Sequence, residues 1–171
     1  MNGQNAPAEI KKMTIDDLSF CAEVIRRSFE TEALEFGLTR ENCPGHTSFI
    51  TSGRLVEKCV ELDKFYPFVC VSGGAIIGYV SLTGVGSGTY VMEHLAIVPE
   101  MRRLGHGRLM LGFCKKKAAE LGGDVIKIGI IEENARLRDW YLANGFVHTG
   151  TKRFAHLPFT VGFMEWRVRD Q

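Results

Sequence analysis

The sequence predicts a mixed α/β fold with element order β-α-α-β-β-β-α-β-α-β-β. Three observations predict it. Near the start, apolar residues recur at helical spacing; beyond Leu62 they switch to continuous apolar runs joined by a Gly-Gly turn. A long β-branched and aromatic strand then ends at Pro99 and passes directly into a glycine-containing loop that opens a helix. Strands outnumber helices and do not alternate regularly with them. The sheet must therefore combine parallel and antiparallel neighbours, unlike the βαβαβ repeat of a dinucleotide fold.

The elements follow in order. Residues 1–8 read as a loose leader before a first strand, "EIKKM". Thr14 and Asp17 form a capping-box-like start, with Asp in place of the usual Glu. Leu18, Cys21, Val24, Ile25 and Phe29 then mark a helix over roughly residues 15–30. Gly37, Pro44 and Gly45 break the next segment into a loop. A second helix is expected from Thr47 or Ser48 through Leu62. Ser72-Gly73-Gly74 joins two apolar runs as a hairpin, and "TYVMEHLAIV" is the next strand. A helix from about Arg103 to Leu121 is closed by Gly122-Gly123. "VIKIGII" is a strand, and "NARLRDWYLANGF" a short helix ending at the left-handed cap signal Asn144-Gly145. Two terminal segments form an antiparallel pair in which Phe163, Met164 and Trp166 belong either to the core or to a dimer edge.

The bulk numbers limit the function classes. The chain's 171 residues suit one domain, 1–171. Lys+Arg number 21 against 20 Asp+Glu, so charge alone supplies no affinity for nucleic acid. No apolar run approaches the roughly 20 residues of a membrane span, and no signal segment is evident, so a cytoplasmic protein without a membrane partner is expected. The five cysteines contain no C-x-x-C pair and read as reduced thiols. His46, His148 and His156 lack metal-ligand spacing and read as surface or loop residues, with no metal expected. Lys115-Lys116-Lys117 reads as a solvated helical face.

Chemistry concentrates at "PEMRRLGHGRLM". A strand entering a glycine loop and a helix N-terminus presents unpaired backbone N–H groups and a partial positive charge, which suits phosphate. Gly105 and Gly107 allow close approach, and Arg102, Arg103 and Arg108 add charge. On this stretch alone a plain turn with solvated arginines is equally open. The third glycine of a dinucleotide fingerprint is replaced by Met110, and no G-K-[ST] follows.

Two motifs together resolve the choice. Arg102-Arg103-Leu104-Gly105-His106-Gly107, entered from "LAIVPEM", resembles motif A of the GCN5-related N-acetyltransferases, the GNAT family. "NARLRDWYLANGF" resembles motif B, with Asn134, Tyr141, Gly145 and Phe146 in register. The resemblance covers roughly residues 8–169 and implies a mixed sheet splayed between its fourth and fifth strands, with the pantetheine arm of acetyl-CoA in the gap. It places pantetheine contacts on Leu95, Ala96 and Ile97. The pyrophosphate falls on the N–H groups of Arg103, Leu104, Gly105, His106, Gly107 and Arg108, and Asn134 meets the pantetheine or phosphate region. Asn134 is also a helix N-cap candidate.

Acetyl transfer needs a neutral amine, a donor for the oxyanion and a proton for the leaving thiolate. The resemblance assigns the last to Tyr141; position alone would make it a core tyrosine. Glu93 interrupts an apolar strand, and burial should raise its pKa towards a useful base. The bland alternative pairs it with an arginine. His94 is the rival base, on the opposite face unless a bulge intervenes. The oxyanion donor is expected from backbone N–H near Ala96 or Ile97.

The acceptor walls are expected from "EFGLTRENCPGHT" and "KRFAHLPFTVGF", where Glu35 or Glu41 could pair with an amine. The expected activity is acetyl transfer to the primary amine of a small molecule by a monomer or homodimer. A protein N-terminal or lysine amine is the alternative acceptor, and a non-catalytic acyl-CoA-binding module the alternative of another class.

Overall fold

A computed structural model describes residues 7–168. Most of the expected leader, 1–8, lies outside the described residues. The elements are β1 (Glu9–Lys12), α1 (Leu18–Glu35), α2 (Ser52–Glu61), β2 (Phe65–Ser72), β3 (Ala75–Gly86), β4 (Thr89–Ile97), α3 (His106–Glu120), β5 (Val125–Ile131), α4 (Ala135–Ala143), β6 (Val147–Arg153) and β7 (Thr160–Arg167). Type and order are those the sequence predicts.

The strands form one seven-stranded sheet in the order β1-β2-β3-β4-β5-β7-β6. All neighbours are antiparallel except β4 and β5. That parallel ladder joins Thr89–Val91 to Val125–Lys127 and then stops, although β4 continues to Ile97 and β5 to Ile131. Beyond Val91 the two strands part, and the facing edge of β4 is left without a partner. This is the expected splay.

A bulge shapes the same stretch of β4. Tyr79 faces Ala96 and Ser81 faces Glu93, so two residues of β4, His94 and Leu95, oppose Val80 alone. His94 takes the left-handed conformation, φ 55°, which a non-glycine residue adopts only when its surroundings enforce it.

The sheet is covered on both faces. Tyr79, fully buried on β3, points towards α1, whose Cys21, Ala22, Val24 and Ile25 are buried. The adjacent Gly78 faces α3. A Cβ there would lie 2.9 Å from the Met110 sulfur and 2.6 Å from the Ile97 side chain, so only glycine lets α3 settle this closely. Phe68 meets Phe113 of α3 edge to face at 4.8 Å. Met164 and Trp166 are buried, which resolves them as core; Phe163 is exposed.

Local chemistry moves two helix starts. Thr47–Phe49 form a separate 3-10 turn, and α2 starts later because the Thr51 hydroxyl accepts from the Arg54 N–H at 3.2 Å. The helix expected from Arg103 begins at His106, since Arg103 and Gly105 both have positive φ. At the first helix, Asp17 accepts from the Thr14 N–H at 2.8 Å. A 3-10 turn, Ile15–Asp17, intervenes before α1.

Lys115 also departs from expectation. Its ammonium bonds the Asn144 carbonyl and lies 5.0 Å from the centre of the Trp166 ring. Burial lowers its pKa. It ties α3 to the end of α4, whereas Lys117 pairs with Glu120 at the surface.

Candidate active site

The parting of β4 and β5 opens a cleft of about 1030 Å³. Its floor is the free half of β4 and the end of β5. The 102–108 loop closes one end, α4 one side, and the last turns of α1 with the β6–β7 connection the other end.

The loop at the cleft mouth is built for close approach. The first intrahelical bond of α3 runs from the Leu109 N–H to the Gly105 carbonyl at 2.9 Å, so the N–H groups of His106, Gly107 and Arg108 have no partner in the helix. Gly105 has φ 88°, and a Cβ added there would meet nothing within 4 Å. Gly107 lies against Trp140, 3.7 Å from where its Cβ would be. Arg103, Leu104 and Arg108 are exposed beside it. Open space, free donors and a helix N-terminus fit a pyrophosphate.

Arg102 does something else. Its Nε donates to the Ile97 carbonyl at 3.0 Å, and its two terminal nitrogens donate to Thr31 Oγ1 at 3.0 Å and the Ser28 carbonyl at 2.6 Å. All three guanidinium nitrogens face protein acceptors, so Arg102 staples the loop to α1 and the end of β4. Phosphate binding is not what this geometry equips it for.

Glu93 and His94 both line the cleft. The bulge removes the alternation that would have sent them to opposite faces. Lys58 of α2 donates to Glu93 Oε2 at 2.7 Å. Burial pushes the Glu93 pKa up, as the sequence suggested, but the Lys58 hydrogen bond and charge outweigh it and the net shift is downward. Its charged partner is a lysine from another element, not the arginine of the alternative reading. His94 is pushed down to about 4, chiefly by burial and then by the Lys58 charge, so its imidazole is neutral at pH 7. Its Nδ1 is buried without a partner.

Across the cleft stands Tyr141, buried on α4 between Trp140 and Phe146, with ring centres 4.9 and 5.1 Å away. Burial, followed by the Cys114 and Glu32 charges, raises its pKa, so the phenol stays protonated throughout the working range. Asn134 caps α4, accepting from the Leu137 N–H at 3.2 Å. Its amide nitrogen donates to Glu32 Oε2 at 3.0 Å. Leu95, Ala96 and Ile97 lie on the parted edge of β4.

Sequence reasoning missed Glu32 and misjudged His46. His46 is buried: the Ser48 N–H donates to its Nδ1 at 3.3 Å, and Ser48 Oγ lies 2.8 Å from the same nitrogen. A nitrogen that accepts a backbone N–H carries no proton, so the proton is on Nε2, which faces Glu32 Oε1 at 3.4 Å. A signal for Glu32 was available: it stands four residues after Ser28 and seven after Ile25, on the buried stripe of α1. Of the acids proposed for an amine, Glu35 lines the cleft but is paired with Arg136 at 2.7 Å, and Glu41 lies outside it.

A small second core flanks the end of the cleft away from the 102–108 loop. Ala33, Leu38, Cys43 and Ile131 are buried together, with Phe36, Leu157 and Phe159 against them. The α1–α2 loop and the β6–β7 connection therefore touch. Phe154 is half-buried near His156, outside the cleft lining.

The remaining titratable groups offer no competing centre. Burial pushes Cys21 and Cys114 up to about 12 and Cys70 to about 11, unfavourable for a thiolate. Among the described residues no group of three or more His, Cys, Asp or Glu could hold a metal ion. Nor is any helix of the described residues long and apolar enough to cross a membrane.

A profile of the acetyltransferase (GNAT) family matches residues 30–146. No curated protein matches the chain. Solved structures do. The ribosomal-protein-S18-alanine N-acetyltransferase of Escherichia coli is similar with TM-score 0.75 at 14% identity, covering 95% of this chain and 94% of that one. The PaiA N-acetyltransferase of Thermoplasma acidophilum, in complex with coenzyme A, gives 0.70 at 20% identity, with 94% and 99% covered. A spermidine N-acetyltransferase SpeG chimera from Vibrio cholerae and hSSAT gives 0.73 at 17%, with 94% and 95% covered. At these identities the likeness establishes the fold. The acceptors named for these proteins, a protein alanine and spermidine, differ from one another.

Proposed function

Because the chain belongs to the GNAT family of acetyltransferases, we propose that it transfers an acetyl group from acetyl-CoA to the primary amine of a small molecule, by direct attack in a ternary complex. The observation that carries this reading is the convergence of three features on one cleft. They are the unpartnered edge of β4, the free N–H groups opening α3, and the presence of both Glu93 and Tyr141 in the cleft lining.

Acetyl-CoA supplies the activated acyl group as a thioester. The chain's part is to hold and orient it and to move two protons. The parted β4 edge at Leu95, Ala96 and Ile97 presents backbone groups to the pantetheine amides, with Asn134 across the gap. The 103–108 N–H groups take the pyrophosphate, where the α3 dipole adds to the attraction. Glu93 takes a proton from the ammonium of the acceptor so that the nitrogen can attack; the C–N bond forms as the C–S bond breaks, Tyr141 hands its hydroxyl proton to the sulfur, and the second proton shed by the new amide nitrogen returns Tyr141 to its phenol form. Lys58 holds the carboxylate in its charged, proton-accepting form. The raised pKa of Tyr141 keeps that donor loaded.

A small acceptor is favoured by the second core. Packing of Leu157 and Phe159 against the small core beside the end of α1 narrows that end of the cleft and lines it with apolar side chains, which suits a compact acceptor better than an extended peptide. Thiol release from acetyl-CoA across a panel of small amines and of peptides with free N-termini or lysines tests the reading. Stimulation by small amines alone is expected. Stimulation by peptides alone would overturn the acceptor class. Coenzyme binding without release by any amine would overturn catalysis.

A further inference from the structure

The cleft holds three carboxylates near its acceptor end and floor, and their partners separate them. Glu93 is bonded to Lys58 and Glu35 to Arg136, each at 2.7 Å. Glu32 differs. Its Oε2 accepts from the Asn134 amide, and its Oε1 faces His46 Nε2 at 3.4 Å, the imidazole being oriented by the Ser48 N–H that donates to Nδ1. Arg102 feels the Glu32 charge but makes no ion pair with it, its nitrogens being on Ile97, Thr31 and Ser28. Among the described residues Glu32 is thus the cleft carboxylate that pairs with neither a lysine nor an arginine.

We propose that Glu32 docks the acceptor as its ammonium, before the nitrogen gives a proton to Glu93 and attacks, and that the acceptor is a monoamine carried on an apolar body. This rests on the acetyl-transfer reading and adds the specificity-determining residue and the substrate class. A carboxylate offers about four lone-pair sites, and the two bonds to Asn134 and His46 fix its plane while leaving acceptor capacity towards the cleft. A partly buried negative charge without a lysine or arginine partner is stabilised when a cation arrives.

The surroundings suit an ammonium on an apolar stem. The Phe29 ring stands edge to face with both His46 and His94, at 6.3 and 6.2 Å. Leu157, Phe159 and Val161 line the same end. The His94 imidazole is uncharged at pH 7 and so does not repel a cation. A polyamine would need a second free acid, but Glu35 and Glu93 already hold internal cations. An amino acid would need a cation for its carboxylate. Arg136 is engaged by Glu35, Arg102 is spent on protein acceptors, and Arg103 and Arg108 belong to the coenzyme loop.

The test is a binding ratio. Calorimetric titrations compare N,N-dimethylphenethylamine, a charged amine that still carries an N–H, with phenethyl alcohol, its neutral counterpart. Both are run on free and on CoA-saturated protein. The amine is expected to bind about tenfold or more tightly, the range of a hydrogen bond to a charged group. Glu32→Gln should bring the ratio to about one, Glu35→Gln should preserve it, and spermidine should bind wild type no more tightly than the monoamine. A wild-type ratio near one, a ratio surviving Glu32→Gln, or a clear preference for spermidine would each overturn the assignment. The wild-type arms stand even if a variant fails to fold. Failure to bind CoA counts against acetyl transfer itself, whereas a flat ratio with CoA bound counts against Glu32 alone.

Discussion

Replacing Arg102 by Ala tests how the 102–108 loop is held. The side chain makes three hydrogen bonds that bind the loop to α1 and to the end of β4. Bonds involving a charged group contribute roughly 1.5–3 kcal/mol each. The contact with Thr31 is exposed and adds little, and the two to carbonyl oxygens share one side chain, so their losses do not add fully. A net destabilisation of about 2–3 kcal/mol follows. For a chain of this length each kcal/mol lowers Tm by roughly 2–4 °C, giving a fall of about 4–12 °C. Thermal unfolding followed by circular dichroism reads this, with Arg103→Ala and Arg108→Ala as exposed comparisons that should move Tm by little. If Arg102→Ala keeps its Tm and loses only acetyl-CoA affinity, Arg102 is a phosphate ligand and the staple argument is wrong.

Three further variants test the cleft. In Lys58→Met, burial acts on Glu93 unopposed and its pKa rises, so the acidic limb of kcat/KM should move to higher pH; an unmoved limb removes Glu93 as the group titrating there. The same pair makes stability pH-dependent. A carboxyl depressed in the folded state contributes stability above its unfolded value of about 4.3 and loses it as pH falls through the folded value, so Lys58→Met should flatten acid denaturation in that range. Gly105→Ala forces a Cβ into φ 88° at a cost of about 1–2 kcal/mol, although the space is open; a lower Tm and weaker coenzyme binding are expected, and an unchanged Tm would contradict the left-handed turn. Tyr141→Phe should lower kcat by about a hundredfold or more, read by steady-state thiol release, and a near-normal kcat would leave the tyrosine a packing residue.

The sequence carried most of the fold because local signals agreed with the tertiary solution. Helical spacing in α1, the Gly-Gly hairpin turn, and Asn144-Gly145 after α4 each act over a few residues. The backbone part of the site was legible for the same reason, since a strand ending at Pro99 and a glycine loop define it locally. What stayed hidden depends on contacts between distant segments. Lys58 reaches Glu93 from another helix, and nothing in "EKCV" points to a strand 35 residues away. The roles of Arg102 and Lys115 were misread because an arginine beside a glycine loop, or a lysine in a basic run, looks solvated until its neighbours are placed. The bulge at His94 gave no compositional sign. It changes which faces of β4 meet the cleft, and so turns two rival residues into neighbours. Glu32 was the exception, a carboxylate on an apolar stripe, visible by periodicity alone.

Backbone hydrogen–deuterium exchange with and without acetyl-CoA addresses the central claim most directly, because the account assigns the coenzyme to backbone N–H groups. It predicts that acetyl-CoA slows exchange in two segments together, the parted β4 edge at Leu95–Ile97 and the loop at Arg103–Arg108. Protection at neither segment, or only at sites remote from the gap between β4 and β5, would contradict it.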